Sequence, residues 1–206
     1  MEEKMAIEKI RNAVEIATKK IIVINDQNIM AENKENSNSR NFQHENFLNA
    51  MIYHELVSDS YFSFNDIYME YPYPNDDLSA DFVIKNVFRE NEMEDFICEV
   101  KTFGYQYKSE SFISTNNVKK YLYEDIEKLQ NLMDYNNLVP VNGIVIIVNM
   151  TRYPGNYYEY KPMNILLETL KTMLNDGKYS DNMVFILSDN ARAIAITADE
   201  IKRYKE

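Results

Sequence analysis

The chain has 206 residues, a hydrophobic fraction of 45% and a formal net charge of −11. That size and composition fit one domain with a real core, and the acidic balance argues against an extended nucleic-acid surface, which would be basic. A single cysteine, Cys98, excludes an intrachain disulfide and a cysteine-based zinc site, the longest apolar run, Gly143 to Val148, is strand-sized rather than membrane-spanning, and the acidic start predicts no secretory signal and a cytoplasmic location by default.

In chain order, residues 1–40 read as an N-terminal helix followed by a loop. Met5, Ile10, Val14 and Ala17 recur at helical spacing and predict a helix from Glu2 to about Lys19. Ile21-Ile22-Val23-Ile24 fits either a short strand or the end of that helix. Asp26 to Arg40 is rich in Asn, Ser and Glu without periodicity, which predicts an exposed or mobile loop. Residues 41–206 read as a single domain. It opens with a helix from Asn41 to Val57, whose apolar face is Phe47, Leu48, Met51, Ile52 and Leu56. Tyr61 to Met69 alternates as a strand does, and the prolines of Tyr71 to Asp77 predict a loop.

Two short strands follow, Ser79 to Lys85 and Glu94 to Thr102, around a polar turn at Arg89 to Met93. Folded as an antiparallel hairpin, they set position 81 opposite position 99. Side chains alternate faces along a strand, so Glu99 and Lys101 share a face, and Asp81 can join them as the cross-strand partner. Two carboxylates and an ammonium on one spot of an apolar hairpin are costly unless they bind something, and a divalent cation suits them. The plain alternative is a solvated Glu99–Lys101 pair on an exposed sheet face. Cys98 points the opposite way and reads as a small core residue.

Beyond Thr102 a polar connection leads to a strong helix, Val118 to Tyr135, with Leu122, Ile126, Leu129 and Met133 on one stripe. Val141 to Met150 reads as a buried strand, Met163 to Asn175 as a helix with Gly177 past its end, and Met183 to Leu187 as a strand. Ala191 to Thr197 reads as an edge strand, and Thr197-Ala198-Asp199-Glu200 as a capping box opening a short terminal helix. The order of helix, three strands, helix, strand, helix and strand predicts an α/β fold with a mixed central β-sheet and helices on both faces.

With this order, the acid in Ala80-Asp81-Phe82-Val83-Ile84 and the E-x-K in Phe96-Ile97-Cys98-Glu99-Val100-Lys101, the chain resembles the PD-(D/E)XK nuclease superfamily over roughly Asn41 to Met150. The resemblance implies a restriction endonuclease-like core, a three-strand meander plus crossover strands, and a metal-dependent endonuclease acting on DNA, in a restriction, defence or mobile-element setting. It implies Mg²⁺, with Mn²⁺ as a substitute, held by Asp81, Glu99 and the Val100 carbonyl, and Lys101 beside the attacking water. A first-helix glutamate completes many such sites. Glu45 fits that placement better than Glu55, which reads as a plain helix residue, as do His44 and His54 as surface or cap residues.

Tyr121, Asp125 and Lys128 share one side of the second core helix, where relatives in this superfamily pack beside the active site. Lys119, Lys120, Lys128 and Tyr121 are therefore candidate nucleic-acid contacts, against the plain reading of an i, i+3 ion pair on a wet helix face. The lysines slightly outnumber the acids between Lys101 and Lys128, so a local phosphate-binding strip is compatible with an acidic chain. Cutting both strands of DNA would favour a homodimer, since one site cuts one strand. Two other readings stand beside the nuclease: an inactive nucleic-acid- or protein-binding module that keeps the fold, and an unrelated α/β protein in which the triad is accidental. No GxxxxGK[ST], GxGxxG or GxSxG motif is present.

Overall fold

The computed structural model describes residues 2–32, 45–72, 79–89, 92–103, 116–135, 141–149, 162–177, 179–181, 183–188 and 192–204. Helices α1 (Glu2–Glu32) and α2 (Glu45–Ser58) lead into strands β1 (Ile67–Pro72), β2 (Ser79–Arg89) and β3 (Glu92–Phe103). Helix α3 (Asn116–Tyr135), strand β4 (Val141–Asn149), helix α4 (Pro162–Asp176), strands β5 (Val184–Ser188) and β6 (Ala193–Thr197) and helix α5 (Ala198–Arg203) complete the chain. The six strands form one sheet in sequence order. The pairs β3–β4 and β4–β5 are parallel, because α3 and α4 carry the chain back across the sheet, and the other pairs are antiparallel. The expected α/β class and mixed sheet are present.

The sheet separates two buried layers. Phe82, Phe96, Cys98, Val100, Ile144 and Ile146 face α1 and α2. Ile97, Val145, Ile147, Phe185 and Leu187 face α3, α4 and α5, where Leu122, Ile126, Leu129 and Leu170 meet them. Every residue of β4 from Ile144 to Val148 is fully buried, as a central parallel strand covered on both faces requires. Each such Ile or Val contributes roughly 1.5–3 kcal/mol of burial.

Helix α1 belongs to this core rather than standing apart from it. Ala6, Ile10, Ala13, Val14, Ala17 and Ile21 pack against the sheet and α2, and Lys9 and Lys20 bridge to Asp59 and Glu55 at 2.7 and 2.6 Å. It continues through Ile21 to Ile24 and on to Glu32, where a loop was expected from Asp26; residues 33–40 lie outside the described residues. Among the described side chains, the interior packing of α1 extends to Ile21.

The strand expected from Tyr61 begins later. Ser63 caps a short 3-10 turn at Phe64–Asp66, its Oγ accepting from the Asn65 N–H at 3.3 Å. β1 then runs to Pro72, and its place at the sheet edge tolerates the proline. β2 runs four residues beyond Lys85. The pairing shifts by one residue between Ile84 and Val87, so these two residues, three apart, both reach the α1–α2 side. A bulge of this kind hides the alternation from a simple period-two reading. Helix α2 was expected from Asn41 and is described from Glu45, residues 41–44 lying outside the described residues; the other elements lie within two or three residues of expectation, and Thr197 and Glu200 form the reciprocal capping box of α5.

Candidate functional site

Asp81 sits where β2 parts from β3. The β2–β3 register pairs Ile84 with Phe96, Val83 with Ile97 and Phe82 with Cys98, and the pairing ends there although both strands continue. Continued by one rung the register would set Asp81 opposite Glu99, as the hairpin reading expected, but the strands part before that pair forms, so Asp81 stands at the mouth of a fork instead of inside a continuous ladder. The Asp81 carboxylate fills the opening: Oδ2 accepts the Val100 backbone N–H at 2.6 Å, and Oδ1 accepts Asn49 Nδ2 at 2.8 Å. The side chain thus takes up a backbone donor of β3 that β2 leaves unpaired. Alternation also slips here, since Ala80 and Val83 both lie on the α3 side. On the other flank Glu70, between the pairs Met69↔Phe82 and Tyr71↔Ala80, has φ of 49°. Two neighbouring strands therefore depart from regular geometry at one rung, a common accompaniment of functional sites.

Glu99 and Lys101 lie on the α3 face of β3, alternating with Cys98 and Val100, which face α1 and α2. Glu99 is only 5% exposed, so it is not half of a solvated surface pair. Lys101 Nζ lies 3.0 Å from Asp125 Oδ2, and Lys128 Nζ lies 3.4 Å from Asp125 Oδ1. Asp125 is itself buried. Its Oδ2 lacks a well-directed hydrogen bond, so the contact with Lys101 is chiefly ionic. The i, i+3 pair of Asp125 and Lys128 is present as the plain reading of α3 expected, yet its aspartate is buried and also contacts the half-buried Lys101, so the pair does not lie on a wet helix face.

Electrostatics tie these groups together. Burial pushes the Asp81 carboxyl up from the ordinary aspartate range. The Val100 N–H, the Lys101 charge and the Asn49 amide pull it back, and Asp125 adds to the upward push. The Cys98 thiol is fully buried and raised well above the usual thiol range, first by burial and then by the charges of Asp81 and Glu99. It is a protonated core residue, as expected, and not a nucleophile.

The other candidates divide. Glu45 is the first residue of α2, and its side chain lies outside the described residues. His44 lies outside them altogether. Lys119, Lys120 and Tyr121 fall in the opening turns of α3, with side chains outside the described residues. Glu55 pairs with Lys20, as a plain helix residue would, and His54 is exposed. The Val100 N–H is engaged by Asp81, and nothing in the hydrogen bonding assigns its carbonyl to a ligand. Asn49 touches the central carboxylate although it was not singled out. Its signal was present: a polar residue beside Leu48 and one turn before Tyr53, on a helix that buries Leu48, Ile52 and Leu56.

No family model matches this chain, and no curated protein or solved structure is significantly similar to it. Among the described residues no group of three or more His, Cys, Asp and Glu side chains could hold a metal ion, and no helix is long and apolar enough to cross a membrane. The oxygens that the fork and its neighbouring strand offer are the carboxylates of Asp81 and Glu99 and the amide of Asn49. Magnesium commonly takes one or two carboxylates and keeps several waters, so these hard oxygens suit such an ion by chemistry.

Proposed function

We propose that this protein is a metal-dependent nuclease that hydrolyses DNA phosphodiester bonds at the β2–β3 fork of a PD-(D/E)XK-type core. The observation that supports the reading is the buried Asp81 carboxylate held in the strand fork by the Val100 N–H and Asn49, on the strand next to the one that carries Glu99 and Lys101. A carboxylate in a strand fork is hydrogen-bonded by the neighbouring strand, which bears a buried glutamate and a lysine two residues further on. Asp81 and Glu99 would hold Mg²⁺, with Mn²⁺ as a substitute. Bound there, the ion would supply Lewis-acid stabilisation of the phosphate and a more acidic water.

The chain's own residues do the rest. Asn49 and the Val100 N–H orient Asp81. Asp125 holds the Lys101 ammonium on the α3 side of the strand, where it can donate to an attacking water or to the charge that develops on the phosphate. Lys128, next to the same aspartate, is placed for a flanking phosphate, and Lys119, Lys120 and Tyr121 extend that strip along α3 in sequence. Cleavage of both strands calls for two copies, so a homodimer belongs to the proposal.

A binding module without catalysis is the second reading. The pairing of Lys101 with a buried aspartate favours it, because a structural ion pair explains the lysine too. Supercoiled plasmid incubated with Mg²⁺, Mn²⁺ or EDTA, for wild type and Lys101→Ala, separates the two. Nicking that needs metal and disappears in Lys101→Ala is expected. Binding without nicking under every metal condition contradicts the nuclease and selects the module.

A further inference from the structure

Asn49 is a buried polar residue that orientation of Asp81 only half explains. It is 3% exposed in the middle of α2. Its Nδ2 donates to Asp81, but its Oδ1 is buried without a hydrogen-bond partner. An amide oxygen left this way has given up its water without a replacement and is costly to bury. Turning the amide over does not help, because it would set oxygen against the carboxylate and lose the donor. Both atoms belong to one planar amide, so Oδ1 is two covalent bonds from the nitrogen that contacts the Asp81 carboxylate.

The missing partner must be a hydrogen-bond donor or a cation. The fork already concentrates negative charge, from Asp81 and Glu99 within the same stretch of sheet and Asp125 acting on Asp81. A third acidic ligand would add repulsion in a buried place, whereas a neutral amide oxygen adds a donor atom and no charge. Two carboxylates and one amide oxygen balance a divalent cation.

We propose that Asn49 Oδ1 is the third protein oxygen of the cation site, taking the ion or a water bound to it, while Nδ2 holds Asp81 in place. The inference rests on the metal-dependent reading and adds a residue from α2 that the acid and E-x-K motifs do not contain. It is tested by calorimetric titration of Mn²⁺ into the wild-type protein, Asn49→Leu and Asn49→Asp, with circular dichroism to establish folding. Asn49→Leu should bind Mn²⁺ about 10- to 100-fold more weakly, and Asn49→Asp should bind more tightly than Asn49→Leu.

Equal affinity in all three folded proteins overturns the role of Asn49 and leaves the metal reading intact. Absence of Mn²⁺ binding by wild type overturns both. Should a variant fail to fold, the side-chain amide ¹⁵N resonance of Asn49 in wild type decides. A shift on adding Mg²⁺ is expected, and a stationary resonance while the Asp81 carboxyl ¹³C shifts overturns the proposal.

Discussion

Asp81 is pulled between burial, which favours its protonated form, and three neighbours, Val100, Lys101 and Asn49, that favour its charge. Burial wins, so its proton is held more tightly in the folded chain than in the unfolded one. Between the ordinary aspartate range and the raised value the folded state binds more protons, and stability therefore falls as pH rises. Asp81→Asn removes that dependence. Urea midpoints measured without metal between about pH 3.5 and 7 should improve for the variant relative to wild type as pH rises. A difference that stays flat or runs the other way means that the carboxylate is not held at a cost. The positions of Asp81 on β2 and of Glu99 and Lys101 on β3 were legible in the sequence as strand residues, while the end of the β2–β3 pairing at Phe82 was not. Asn49 showed in the sequence only as a polar residue on the buried face of α2; its contact with Asp81, and the tether from Asp125 to Lys101, did not, because both depend on helix rotation about the sheet, which packing sets rather than local pattern.

Elements with one clear periodicity were read nearly to the residue: α3 from its apolar stripe, β4 from its continuous buried run, and α5 from its capping box. The misreadings have physical causes. The bulge between Ile84 and Val87 interrupts alternation, so β2 looks shorter than it is. The aromatic run Tyr61 to Phe64 resembles a strand, yet Ser63 turns it into a 3-10 cap. The tie between α1 and β6 also escaped sequence reading, because it joins residues at opposite ends of the chain. Arg11 donates to the Ala193 carbonyl and Glu15 accepts the Ala193 N–H, both at 2.9 Å, which occupies backbone groups on the outer side of an edge strand. Lys19, then the Ala193 N–H, hold the Glu15 carboxyl below its ordinary range. Its contribution is therefore present above the unfolded glutamate value and lost as pH falls through the lowered one. Glu15→Gln should destabilise the protein by about 1 kcal/mol near neutrality and by less at pH 3, read from urea midpoints. An equal loss at both pH values would mean that the carboxylate charge is immaterial to the tie.

At the scale of the whole molecule, the net charge of −11 opposes a broad DNA footprint. A nuclease with this surface must rely on metal and a short cationic strip. The candidates are the four lysines Lys101, Lys119, Lys120 and Lys128, and each phosphate neutralised contributes about −0.9 to the slope of log Kobs against log salt. Binding to a duplex in Ca²⁺, followed by fluorescence anisotropy, should give a slope no steeper than about −4; a much steeper slope would place the nucleic acid on residues beyond this strip. The fold class was legible from the element order, while the sheet's separation into an α1–α2 layer and an α3–α4–α5 layer required the three-dimensional arrangement. The central claim is that the strand fork gathers oxygens around one divalent cation. Crystals soaked in Mn²⁺ and measured at the manganese edge test it most directly: an anomalous peak between the carboxylates of Asp81 and Glu99 is the expected result, and a fork without one, its two acids turned apart, would contradict the account.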